Sequence, residues 1–412
     1  MARTTLTLKV KSLSQMEEPM QPVWIVDGTR TPFGRFGGSL RELSVIDMAK
    51  QTLESLLVRT QWPTDDIDEL IVGMAMIEGG LMVPARQLAY AAGLPETLPT
   101  LTIDRACCSG MAAVGLGVRA VGAGARSAMA IGVESMSQTP RLLHETRWGS
   151  KRGDLTVEDL LMLRNPLEGG VSIARSVGLE AEARGGGREE QDNWALQSHE
   201  RYFKALAEGY FQGEVSAVST PRGIVDVDEQ PRSDTSIEKL ARLTPVYGGP
   251  TVTAGNAPGL NDGAVALMLA GEQALSDRSA TPLARVHSYL QTASTPTSSV
   301  YLPGVAIGRL IEEAGLTAAD ISVIEINEAF AATAVVSTKA LAGGDFALER
   351  ELASRTNVNG GAVALGHPTG ASGARLVLTA ARQLQRCGGR WAVAAICGGF
   401  GQTDAVLIEA AQ

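Results

Sequence analysis

The chain has 412 residues, 44% of them apolar and 20% charged, with a formal net charge of -9. That length exceeds what one simple core serves, so two domains or two halves are expected, and the acidic balance leaves no basic stripe for a nucleic-acid backbone. Four cysteines, Cys107, Cys108, Cys387 and Cys397, have neither zinc-site spacing nor disulfide-framework density, which points to a reducing compartment, the cytoplasm or alternatively an organelle matrix, and to no metal.

Residues 1–21 read as a flexible N-terminal extension, rich in Thr, Ser, Lys and Arg as far as Gln15. Val23 to Val26 begins a strand and leads into the loop G-T-R-T-P-F-G-R-F-G-G. Leu43, Ile46, Ala49, Leu53, Leu56 and Leu57 follow at helical spacing, and Ile67 to Met76 reads as the next strand. After D-R-A-C-C-S-G-M comes Gly110 to Val121, so poor in charge that it is expected to be a helix buried on all sides. From about 136 to 252 Arg, Glu, Gly and Pro become frequent, as in an inserted, partly loop-like subdomain with short helices such as Glu189 to Gly209; long insertions of this kind usually bind something. No apolar run approaches the roughly 18 residues of a spanning helix, so no membrane insertion is expected.

The second half repeats the first. D-I-D-E-L-I-V-G-M-A-M (Asp66 to Met76) matches D-I-S-V-I-E-I-N-E-A-F (Asp320 to Phe330), and S-G-M-A-A-V followed by M-A-I-G-V-E matches S-G-A-R-L-V followed by V-A-A-I-C-G, at nearly the same offset. Two related α/β halves follow, 22–275 with the insertion and 276–412. Three chemical residues, Cys107, His367 in G-H-P-T-G-A-S-G and Cys397 in I-C-G-G-F-G-Q, sit where apolar runs give way to glycine-rich backbone. Strand ends and helix starts leave N–H groups free to face a ligand there, and two thiols with an imidazole suggest acyl-group chemistry.

These segments, with T-A-G-N-A-P-G-L-N-D-G-A (Thr253 to Ala264), N-E-A-F and N-V-N-G-G-A-V-A-L-G-H-P-T-G-A-S-G (Asn357 to Gly373), make the chain resemble the thiolase family over about Val23 to Glu409. The resemblance implies a thiolase-like five-layer αβαβα fold and a coenzyme A-dependent acyltransferase that cleaves or condenses 3-ketoacyl-CoA by ping-pong exchange. It implies Cys107 as the residue that is acylated, His367 as its activating base, and Cys397 as the thiol that moves the α-proton. Asn327 matches the asparagine that holds an oxyanion-hole water, and Gly399 the backbone N–H partner of Cys107 in a second oxyanion hole. Acyl-CoA and coenzyme A are then the partners, as substrates rather than permanent cofactors, and a homodimer or homotetramer is implied. The coenzyme is expected along Gly255, Asn256, Ala257 and Pro258, with Ala329 and Phe330 from N-E-A-F.

Each residue also has a plainer reading. Cys107 alone is a small buried hydrophobe, His367 a structural turn histidine, Cys397 an inert thiol at a strand end, and Cys108 is expected to be packing. Preceding a helix, the Cys107 thiol is expected to have a lowered pKa. Glu328 could be an active carboxylate, but the resemblance assigns it a supporting, hydrogen-bonding part. Asp104, Pro258 and Thr403 depart from the family pattern, and no histidine and methionine of the short-chain acyl pocket are evident around 168–170. Two rivals remain open: a decarboxylating ketoacyl-synthase-like condensing enzyme, and a catalytically silent acyl-CoA or lipid carrier with the same fold.

Overall fold

The computed structural model describes residues 20–77, 81–144, 146–149 and 152–411. The expected extension lies outside them except for Met20 and Gln21. Gln21 is already part of the fold, its amide donating to the Ala125 carbonyl at 3.1 Å.

The first half contributes β1 (Val23–Arg30), β2 (Glu69–Gly73), β3 (Thr100–Ile103), β4 (Ser127–Ser135) and β5 (Asn261–Gly271), with helices α1 (Val45–Thr60), α2 (Pro84–Ala91) and α3 (Ser109–Gly122). The insertion adds α4 (Ile173–Ala183) and α5 (Arg188–Ala207), so it is more helical than its composition suggests. The second half supplies β6 (Ala284–Ala293), β7 (Ile321–Ile326), β8 (Trp391–Cys397) and β9 (Gln402–Ala410), with α6 (Leu302–Glu313), α7 (Ala331–Ala342) and α8 (Thr369–Cys387).

The strands lie in the order β7-β8-β9-β6-β1-β5-β4-β2-β3, and the two-residue strand Gly34–Arg35 pairs with β5 beside this path. The order is nearly symmetric about the antiparallel β6–β1 pair. β9 corresponds to β5, β8 to β4 and β7 to β2, and the pairs β7–β8 and β4–β2 are both parallel. The duplication read in the sequence is therefore a duplication of strand order.

Strand periodicity sorts the core into layers. On β4, Ala128 and Ala130 face the space between the halves, while Met129, Ile131 and Val133 face α1 and α2. On β8, Ala392, Ala394 and Ile396 face inward and Val393 and Ala395 face the outer helices. Helices α3 and α8 fill the middle, giving α, β, α, β, α in sequence. Ser44 starts α1 through a capping box: its hydroxyl accepts from Asp47 N at 3.1 Å and its own N–H donates to the Asp47 carboxylate at 3.0 Å.

The insertion is tied to both halves by buried polar contacts. Arg30, at the end of β1, donates to Glu214 at 2.7 Å and to both Asp228 oxygens at 2.7 and 3.0 Å. All three side chains are buried, so the bidentate fork replaces the water each charge gave up. From α5, Trp194 and Ser198 each donate at 2.8 Å to Glu328, which also accepts from Asn357 and from Val363 N at 2.9 Å. Glu328 thus gathers hydrogen bonds from the insertion and from the second half.

The two central helices approach to backbone contact. A Cβ on Gly110 would lie 2.5 Å from the Gly370 carbonyl oxygen and 2.9 Å from Ala374 N. Gly110→Ala should therefore destabilise the protein by about 1–3 kcal/mol, the cost of overpacking a closed interior. Thermal unfolding checks it: the midpoint should fall by several degrees, and an unchanged midpoint would show that the crossing is looser than described.

Candidate active site

Cys107 sits on the turn between β3 and α3. Ala106, just before it, holds φ +48°, the left-handed region that costs a residue with a Cβ of order 1 kcal/mol or more. Three bonds keep the turn there. Asp104 Oδ1 accepts from Ala106 N at 2.7 Å, Ser109 Oγ accepts from Arg105 N at 2.8 Å, and Ser109 N donates to the Ala106 carbonyl at 2.9 Å. Cys107 is left half-buried, opening on a cavity, whereas Cys108 is buried with its thiol donating to the Ile396 carbonyl at 3.2 Å.

His367 lies on the turn before α8. Gly366 holds φ +99°, and a Cβ on it would overlap the Asn261 amide, so glycine is required there on two counts. Ser372 Oγ donates to the Pro368 carbonyl at 3.0 Å and stands 2.7 Å from His367 Nδ1. With its own proton committed, the hydroxyl accepts the Nδ1 proton. Nε2 is then the free basic nitrogen. Asn327, just past β7, places Nδ2 3.5 Å from His367 Nε2, and its buried Oδ1 has no protein partner. Cys397 ends β8, and the glycines that follow turn the chain toward the same cavity.

Each half holds the other's reactive turn. Asn261 of the first half accepts from His367 N at 3.0 Å. Buried Glu134, at the end of β4, accepts from Thr369 Oγ1 at 2.7 Å and Gly370 N at 2.9 Å, while also accepting from Ala75 N of its own half at 3.0 Å. Conversely, Asp404 on β9 accepts from Arg105 Nε at 2.7 Å and from Tyr289 OH at 2.6 Å. Sequence reasoning assigned no part to Glu134, Asp404 or Arg105. Asn261 and Ser372 stood inside recognised motifs, but nothing in their spacing shows which backbone they hold.

Cys107, His367, Cys397 and Gly399 line one cavity of about 310 Å³. Of the residues expected along the coenzyme, Ala257, Pro258, Ala329 and Phe330 line it, whereas Gly255 and Asn256 do not. The Asn256 side chain is consumed internally: Oδ1 accepts from Thr253 N at 2.8 Å and Nδ2 donates to Asp192 at 2.8 Å. The insertion supplies much of the remaining wall, through Leu161–Leu163 and Ser172–Ala174.

The electrostatics depart from the lowered thiol expected of a helix start. Burial pushes the Cys107 thiol well up, and the neighbouring Cys397 and Glu134 push the same way. A helix terminus contributes about 0.3–1 kcal/mol, less than the 1.36 kcal/mol of a single pKa unit, so desolvation wins. Burial likewise pushes Cys397 up to about 12, opposed by its own backbone N–H and that of Gly399. His367 is pushed down to about 3 by burial and then by the charge of Arg375, whose guanidinium donates to Glu325 at 2.9 Å. Burial therefore favours the neutral form of both thiols and of the imidazole.

Comparison with known proteins agrees with this architecture. The family description "Thiolase, N-terminal domain" matches residues 23–273, and "Thiolase, C-terminal domain" matches 280–410. The beta-ketoadipyl-CoA thiolase of Pseudomonas putida is 40% identical over 407 residues, covering 95% of this chain and all of that protein. The acetyl-CoA acetyltransferase of Allochromatium vinosum is 36% identical over 394 residues, covering 93% of this chain and 98% of its own. The crystal structure of human mitochondrial 3-ketoacyl-CoA thiolase in complex with CoA aligns with a TM-score of 0.89 at 35% identity, over 95% of this chain and 98% of that one. The chain belongs to the thiolase family. It is an acyltransferase that uses coenzyme A, and the five-layer fold expected from the sequence is the fold it has.

The neutral resting state has a measurable signature. Between pH 6 and pH 9 the rate of Cys107 alkylation by iodoacetamide should climb about tenfold per pH unit without levelling, because only the thiolate reacts and its pKa lies above that range. Mass spectrometry of the Cys107 peptide reads the rate. A plateau above pH 6 would mean a preformed thiolate–imidazolium pair.

Proposed function

We propose that Cys107 is the nucleophile of a reversible Claisen and thiolysis cycle on 3-ketoacyl-CoA, with His367 as its base and Cys397 as the acid and base at the α-carbon. The observation that carries this reading is the meeting of all three in one cavity beside the Thr253 to Leu260 loop. In the cleavage direction, His367 Nε2 takes the Cys107 proton as sulfur attacks the 3-keto carbon. The bond between C2 and C3 breaks, Cys397 protonates C2, and acetyl-CoA leaves. Free coenzyme A then enters, its thiol gives a proton to the Cys397 thiolate, its sulfur takes the acyl group from Cys107, and His367 returns its proton to the departing Cys107 sulfur. Condensation is the same path reversed.

Sulfur suits both directions because exchange between thioesters is nearly isoenergetic, whereas an oxygen ester would trap the acyl group. Asn327, with Oδ1 unpartnered in the protein, is suited to hold a water whose proton faces the thioester oxygen. Gly399 N–H and Cys107 N–H are assigned to the acyl-enzyme oxygen; donors of this kind contribute about 3–4 kcal/mol each. All four cysteines are free, which fits a reducing compartment, and we assign the protein to the cytoplasm. Among the described residues no helix is long and apolar enough to cross a membrane. A homo-oligomer is part of the same reading.

Removing single thiols separates the two roles. Cys107→Ala should form no covalent adduct from radiolabelled acyl-CoA. Cys397→Ala should accept the label yet turn over about 10²–10⁴-fold more slowly, the usual size of a lost general acid and base. Full labelling of the Cys107 variant would overturn the assignment, whereas no labelling of the unaltered chain would favour the silent-carrier alternative.

A further inference from the structure

The loop 398–401 carries one side chain that its packing does not account for. Phe400 holds φ +49°, a left-handed conformation that strains a bulky residue and that glycine adopts freely. The loop has little freedom to relax, since a Cβ at Gly398 would lie 2.7 Å from Cys108 Sγ and one at Gly401 would lie 2.2 Å from the Thr295 carbonyl oxygen. Strain of this kind usually persists where packing offsets it or where function requires it. Among the described residues the Phe400 side chain belongs to none of the buried apolar clusters, and the residue is 36% exposed.

Phe400 borders two spaces at once. One is the cavity of about 310 Å³ that holds the three reactive groups. The other is an open groove of about 1460 Å³ that runs past Met76 and Leu160. Cys107 lines both, so an acyl group bound to its sulfur has two directions to extend. A residue with a strained backbone, an exposed apolar ring and a place at the junction of both spaces has the features of a selector rather than of a core residue.

We propose that Phe400 is a specificity-determining residue that stands between the cavity and the groove and restricts which acyl groups extend from Cys107 into the groove. Short, unbranched acyl groups stay clear of the ring. Long or branched ones must displace it, and a ring held on a strained backbone between two fixed glycines yields at a cost. The inference rests on the acyl transfer at Cys107 proposed above.

The test is thiolysis of straight-chain 3-ketoacyl-CoA substrates of four and ten carbons by the full chain and by Phe400→Gly and Phe400→Trp, read as the ratio of kcat/KM for the longer over the shorter. The ratio cancels any change in the amount of folded enzyme, and glycine also relieves the strain. Phe400→Gly should raise it about tenfold or more, within the range that a pocket's size exerts on apolar groups, and Phe400→Trp should lower it. Ratios that stay within about twofold of the original in both variants would overturn the selector role. Labelling of the unaltered chain by acyl-CoA separates the two readings: if it fails, acyl transfer at Cys107 falls, whereas labelling with unchanged ratios refutes Phe400 alone.

Discussion

The candidate active site depends on one close crossing, where the backbone of α3 at Gly110 meets that of α8 at Gly370. The crossing draws together the turns that precede the two helices, one carrying Cys107 and the other His367. Ala106 is strained and Gly366 is left-handed, and each turn is held by acceptors from the opposite half: Asp404 and the Ile396 carbonyl on one side, Asn261 and Glu134 on the other. Duplication thus produced two similar frames whose chemistry exists only in their contact.

That contact also sets the electrostatics. Enclosing two thiols and an imidazole between the halves raises both thiols and lowers the base, so a charged nucleophile is unfavourable until a substrate arrives. The N–H groups proposed as oxyanion donors, those of Gly399 and Cys107, would then act on charge that develops in a site enclosed between the halves. Arg375 behind His367 adds to the same bias, because its positive charge disfavours a second one on the imidazole.

Much of this was legible in the residue order. Cys107, His367 and Cys397 stand at junctions between apolar and glycine-rich segments, and the repeated D-I and S-G segments correspond to β2 with β7 and to the region of α3 and α8. The interlock was not legible. Asp404 and Glu134 are single acidic residues in apolar strands, and only the fold shows that each accepts donors from the other half. Asn256 read as a coenzyme contact because it lies in a loop whose glycines permit close backbone approach, but its amide is spent on Thr253 and Asp192. The lowered thiol was inferred from a local feature, the helix start, whereas burial is a property of the whole packed molecule.

The central claim is that an acyl group rests on Cys107 with the second half's groups gathered over it. A crystal structure of the protein soaked with acetyl-CoA tests this most directly. It should show the acetyl carbon bonded to Cys107 Sγ, its oxygen within hydrogen-bond distance of Gly399 N, and coenzyme A against Ala257 and Phe330. An acetyl group on another residue, or a coenzyme bound away from this cavity, would contradict the account.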